Sequence, residues 1–202
     1  MIKTILVWDA PVRIGHWLMV VAFALAWATG ESEQWRLIHA GAGGALVGVV
    51  AFRLLWGVIG SRHARFADFV RPPAAALAYL ARLLHGQAPH YTGHNPAGAW
   101  AILLLLALGL ATGASGWLAY NDFGGHLIGT LHEALADGML TVVGAHVAGV
   151  ILGSVVHREN LVKAMITGKK LGKPDEAIAS AQAWAVPLLA ASALAAAWFL
   201  SR

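Results

Sequence analysis

Five long stretches of this chain carry no aspartate, glutamate, lysine or arginine, or a single one, and they decide what it can fold into. They are Ile14–Gly30, then Leu37–Gly60 with Arg53 as its one charge, then Pro96–Tyr120 inside a charge-free run from Arg82 to Asp122. Gly138–His157 and the Ala- and Leu-rich Ala177–Ser201 complete the set. About 20 apolar residues carry a helix across a bilayer, and only a helix or a closed barrel satisfies its own backbone there. The pattern predicts an all-α integral membrane protein with five spans, the first the shortest. Pro187, near the middle of the fifth, predicts a kink. Charged residues make up 12% of the chain, about half the share of a soluble domain, which excludes a disordered chain and an ordinary soluble enzyme. Cysteine is absent, which excludes disulfides, thiolate metal sites, iron–sulfur clusters and covalent haem attachment.

Basic residues set the orientation. With the N-terminus in the cytoplasm, Lys3, Arg13, Arg53, Arg62, Arg65, Arg71, Arg82, Arg158, Lys163, Lys169, Lys170 and Lys173 all fall inside, leaving Arg36 and Arg202 of the 14 outside. This segregation points to membrane lipid rather than nucleic acid as the reason for the basic charge, and to a C-terminus on the far side of the membrane from the cytoplasm. Residues 1–30 do not read as a cleaved signal, because Asp9 and Arg13 separate Lys3 from an apolar stretch that is itself too long. Pro72–Gly86 reads as an amphipathic helix on the cytoplasmic surface, opened by its prolines and ended by its glycine. Asn121–Thr130 reads as a periplasmic loop.

Polar residues inside a membrane are costly and point to function. Of ten histidines, His63, His85, His90, His94, His126 and His157 fall in loops or at span ends and are expected to be solvated. His16, His39, His132 and His146 fall within spans. His132 and His146 are 14 residues apart, close to four helical turns, so they share a face about 21 Å apart along the axis. The topology puts His16 with His146 at the inner level and His39 with His132 at the outer level. Interhelical hydrogen bonding is the plain reading of any one of these side chains. Two pairs at two depths also match the bis-histidine axial ligation of two b-type haems between the helices of a bundle. Glycines at 41, 43, 44, 48, 109, 113, 116, 144, 149 and 153 serve either close helix packing or clearance for a flat macrocycle. Asp137, the unusual acid in the spans, is a candidate proton relay or the partner of a buried donor.

Several motifs resemble one family, the bacterial cytochrome b561 and nickel–iron hydrogenase b-type cytochromes. VWDAPVRIGHW is similar to its first-span signature, RLIHAGAGGALVGVVAFRLLWG to its second span and GHNPAGAWAILLLLALGLATGASGW to its third. The stretch from Leu131 to Lys170 is similar to the fourth span and its tail. The resemblance implies a dihaem core over residues 1–170, with the linker and fifth helix, residues 171–202, lying peripheral to it. It implies His16, His39, His132 and His146 as haem ligands, and electron transfer between a periplasmic-side redox partner and quinone. That partner would be a c-type cytochrome, a hydrogenase or another dehydrogenase; a stand-alone quinone-coupled activity, such as oxidising superoxide, is the other course. By the resemblance, quinone lies beside the start of the third span, where Asn95 is a hydrogen-bond donor or simply a helix cap. Arg13 and Arg53 for the inner haem and Arg36 for the outer are candidate propionate partners, unless they only obey the topology rule. Two features depart from the family, the fifth span and the short Glu31–Arg36 loop. The competing reading is a haem-free transporter or scaffold whose intramembrane histidines bind a metal or protons.

Overall fold

The computed structural model describes residues 2–202. In chain order its elements are β1 (Lys3–Leu6), α1 (Ala10–Thr29), α2 (Arg36–Ile59), α3 (Phe66–Phe69), α4 (Pro73–Leu84), α5 (Pro96–Tyr120), α6 (Gly125–Val156), α7 (Leu161–Thr167), β2 (Lys169–Gly172) and α8 (Val186–Leu200). Five helices are long and apolar enough to cross a membrane: α1, α2 with the short turn before it, α5, α6, and α8 with its preceding turn. The amphipathic segment forms α4, which buries Ala76, Tyr79 and Leu83 and ends before Gly86 at φ +70°.

Two boundaries differ from expectation. The loop after α5 is only Asn121–Gly124, and α6 already begins at Gly125. Asp122, Gly124 and Gly125 take positive φ there, so the chain reverses within one tight turn. At 32 residues, α6 is about 48 Å long, well beyond a hydrocarbon core of about 30 Å. Asp137 is exposed on its surface rather than buried among donors. In the last span, residues 177–182 are not helical, and Pro187 lies in the first turn of α8, where its missing N–H costs nothing and no kink results.

The chain divides into two compact units. The first comprises Met1–Arg13, Leu55–Leu104 and Val142–Ala183. Its organiser is a two-stranded antiparallel sheet that hydropathy does not reveal, in which Ile5 of β1 faces Lys170 of β2. Gly168 ends α7 at φ +79°, and its carbonyl accepts the N–H groups of Val7 and Trp8 at 2.8 and 3.1 Å. A Cβ at Gly168 would stand 2.7 Å from the Trp8 carbonyl oxygen, so only glycine serves there. The segment before α8 returns to the same strand: Ile178 N–H donates to Leu6 O, and Ala10 N–H donates to Ala181 O. Asp9, fully buried, joins these parts. Its Oδ1 accepts the Val12 N–H at 2.8 Å and caps α1, while Oδ2 accepts Trp56 Nε1–H at 2.9 Å and the Ser61 hydroxyl at 2.6 Å.

The second unit comprises Ile14–Leu54, Leu105–Thr141 and Trp184–Arg202. Here glycines let helix backbones touch. A Cβ at Gly44 would meet the Ala196 carbonyl oxygen at 2.7 Å, and one at Gly48 would run into the Ser192 carbonyl. These two positions, one turn apart, seat α8 on α2, and Ser192 Oγ–H adds a hydrogen bond to the Gly48 carbonyl at 2.8 Å. Leu189 of α8 is fully buried against Gly15 of α1. The fifth helix, for which the sequence suggested no task, is a packing partner of both α1 and α2.

Candidate functional site

Within the second unit the structure brings His39 and His132 together. Their ring centroids are 5.9 Å apart and the rings are nearly perpendicular, at 84°. His39, in the first turn of α2, has Nδ1 2.8 Å from the Ala26 carbonyl of α1. His132 of α6 has Nδ1 2.9 Å from the Thr112 carbonyl of α5, with Ser115 Oγ at 3.3 Å. A carbonyl oxygen only accepts, so both Nδ1 atoms carry the proton and each neutral ring is left with a bare Nε2 lone pair. That tautomer, locked by a backbone acceptor, is the usual state of a metal-ligating histidine. Gly116 makes room for the ring: a Cβ there would stand 2.8 Å from His132 Cε1.

These residues fit a haem. Metal–imidazole bonds run about 2.0–2.1 Å, so two rings sharing one metal stand roughly 6 Å apart at their centroids, as these do. No group of three or more His, Cys, Asp or Glu that could hold a bare metal ion occurs among the described residues. Haem iron asks for only two axial side chains, because its macrocycle supplies the other four bonds. The glycines divide. Gly44, Gly48, Gly109, Gly113 and Gly116 meet neighbouring atoms, whereas Gly41, Gly43, Gly144 and Gly149 have none within 4 Å of a would-be Cβ.

The other candidates are placed as follows. His16 is half-buried on α1 of the second unit with Trp17 edge-on at 5.1 Å, and His146 is half-buried on α6 of the first. Arg53 is buried, with 7% exposure, 14 residues beyond His39 and so on the same face of α2. Arg36 sits over the Tyr120 ring at 4.8 Å and pairs with Glu33 at 3.5 Å. Arg13 donates from Nη1 to the Ile166 carbonyl at the end of α7, 2.7 Å. Asn95 Oδ1 accepts the Gly98 N–H at 2.8 Å and caps α5.

Of the histidines expected to be solvated, His85, His90 and His126 are exposed, whereas His63, His94 and His157 are half-buried. His94 lies between Trp8 and Phe69, at 4.5 and 4.4 Å between ring centroids. His63 donates from Nε2 to the Glu176 carbonyl, 2.8 Å. His157 meets Tyr79 OH at 3.2 Å, and His90 pairs with Glu159 at 3.1 Å. Hydropathy placed these residues outside the spans correctly, but only tertiary structure shows that the first unit folds around them. Asp9 was also missed, although the order Asp9-Ala10-Pro11 is the standard signal for a capped helix start.

Burial lowers the His63 pKa from 6.5, and burial with the neighbouring His90 and Lys170 lowers that of His157. The Lys173 N–H and the Thr92 hydroxyl lower Glu176 from 4.5. A histidine lowered in the folded state contributes fully above its unfolded value and loses that contribution as pH falls below it, because the unfolded chain protonates first. The carboxylate acts in the same direction, present above 4.5 and lost as pH falls through its lower folded value. Stability of the first unit therefore declines on acidification, starting just below pH 6.5. The double variant His63→Gln/His157→Gln is expected to flatten that first decline, followed by thermal unfolding above and below pH 6.5. An unchanged decline would assign it to other groups.

No solved structure matches the chain significantly. Among curated proteins it is similar to a probable Ni/Fe-hydrogenase B-type cytochrome subunit of Rhizobium leguminosarum bv. viciae, 24% identical over 86% of this chain and 92% of the relative. A protein of the same description from Rhodobacter capsulatus is 24% identical over 85% of this chain and 83% of its own length. The family model for prokaryotic cytochrome b561 matches residues 7–168, which takes in α1 to α7 and with them the three helices, α1, α2 and α6, that carry the intramembrane histidines. With the His39–His132 pair in place and that match spanning most of its length, the chain belongs to the prokaryotic cytochrome b561 family.

Proposed function

We propose that this membrane b-type cytochrome holds two haems and carries electrons across the membrane, between a periplasmic-side redox partner and the quinone pool. The observation that supports it most directly is the pairing of His39 and His132 with both Nδ1 atoms committed to backbone carbonyls. When bound, haem supplies reversible one-electron redox chemistry. The chain's own part is to fix the ligands. The Ala26 and Thr112 carbonyls orient the two rings and make their Nε2 atoms more basic. Arg36, one turn before His39, offers a cation for a propionate at the same level. His16 and His146 form the inner ligand pair, matched to each other by depth, and Arg53 with Arg13 offers positive charge there. Asn95 presents its Nδ2 donor to a quinone carbonyl beside the start of α5. The relatives' names make a hydrogenase the first partner to examine. The positive-inside distribution supports an N-terminus in the cytoplasm, and the prokaryotic family supports a bacterial cytoplasmic membrane.

Haem stoichiometry tests the reading. Pyridine haemochrome analysis of the purified chain is expected to give two haems, both extractable by acid acetone because no cysteine tethers them. A single haem in folded protein would restrict the electron path to the outer pair and overturn the dihaem assignment.

A further inference from the structure

Two cavities of the first unit meet at the inner end of α6. One, of about 910 Å³, lies between the N-terminal strand, α7 and β2. The other, of about 420 Å³, is an apolar groove along α6 lined by Val150, Ile151, Val155 and Val162. Arg158, Glu159 and Asn160 line both.

The larger cavity is strongly cationic. Lys170 is buried and already matched, with Nζ 3.1 Å from Glu159 and 3.1 Å from the Tyr91 carbonyl. Glu159 also meets His90, and Glu176 accepts the Thr92 hydroxyl at 2.8 Å. Arg158, Lys163, Lys169 and Lys173 form no salt bridge among the described residues. The alternation of β2 puts Lys170 inside and leaves Lys169 exposed on the opposite face. Arg158 has φ +50°, a left-handed conformation that L side chains rarely adopt, in the turn directly after the span. In the orientation proposed above, a residue directly after the span falls at headgroup level. Ile151 and Val155 in the groove are 60% and 69% exposed.

We propose that these joined cavities bind one anionic phospholipid, its phosphate among Arg158, Lys163, Lys169 and Lys173 and an acyl chain along the α6 groove. A free phosphate would match the charge and leave the groove uncovered; an apolar peptide would do the reverse. Only an amphiphile with an anionic head satisfies both, and basic pockets at the cytoplasmic ends of membrane helices recognise such lipids. The site rests on the orientation proposed above for its leaflet, but not on the number of haems.

The test uses the full chain with its haem in detergent, titrated with phosphatidylglycerol or phosphatidylcholine and read by native mass spectrometry. Phosphatidylglycerol is expected to bind in preference. Lys163→Gln/Lys169→Gln should weaken it about thirtyfold, and Val155→Asp should weaken it by placing a charge in the groove. The haem spectrum should stay as in wild type for both. Excess inorganic phosphate should not displace the lipid. Equal binding of the two lipids, undiminished binding by the double variant, or displacement by phosphate would each overturn the proposal. Should the double variant fold poorly, Lys173→Gln alone is expected to weaken binding about fivefold, and no change there is equally fatal. A wild-type chain that binds the lipid but holds one haem counts against the dihaem reading alone.

Discussion

His39→Ala and His132→Ala are each expected to remove the same haem, the outer one, and to leave the other in place. The two rings stand 5.9 Å apart, and each is held by a backbone carbonyl that a substitution elsewhere leaves untouched. Losing either ring would leave the haem with a single protein ligand at that site. The reduced-minus-oxidised spectrum should fall to about half in both variants, with the surviving bands alike. His16→Ala and His146→Ala should remove the complementary half. Gly116→Val offers a second route to the outer site, because a Cβ at Gly116 already crowds His132 Cε1 at 2.8 Å. It should weaken outer haem binding with both ligands present. The pairing fails if His39→Ala and His132→Ala lose spectrally different components, or if His39→Ala matches His146→Ala.

The same pair shows how much was legible beforehand. Spans and depth follow from the absence of charge and from helical periodicity, both local properties, and so His39 and His132 could be matched from sequence. Which carbonyl fixes each ring depends on neighbouring helices, and no spacing rule names Ala26 or Thr112. The glycines show the same limit. Gly44 and Gly48 read as small residues that permit packing or clearance; their contact with α8 makes them packing residues, and explains a fifth helix that otherwise had no task. Outside the spans, hydropathy says least. The β1–β2 pair is four residues on each side, too short for a pattern, and its partners are joined only by folding. The loop histidines were read as solvated because loops usually are, yet His94 lies between two aromatic rings and His63 is tied to Glu176.

Asp9→Ala is expected to be the most damaging substitution outside the haem ligands. Asp9 is fully buried and accepts three hydrogen bonds, from the Val12 N–H, Trp56 Nε1–H and the Ser61 hydroxyl. Removing a cap from α1 costs about 0.5–2 kcal/mol. Trp56 is itself buried, at 4% exposure, and a buried donor stripped of its partner costs about 1–3 kcal/mol. Together these predict a loss of roughly 2–5 kcal/mol, a large share of what holds a domain of this size folded. Asp9→Asn separates the contributions. Its amide oxygen can still cap α1, and Ser61 can turn its hydroxyl to accept from the new NH2 group. Trp56 Nε1–H then faces a donor instead of an acceptor. The expected order of stability is therefore Asp9, Asn, Ala, with the asparagine variant losing mainly the tryptophan hydrogen bond. Heating in detergent, followed by tryptophan fluorescence and by haem absorbance on the same sample, reads both effects. Both signals should change at a lower temperature in the alanine variant than in wild type. If Asp9→Ala unfolds no earlier than wild type, the buried carboxylate is not what joins the start of α1 to the end of α2.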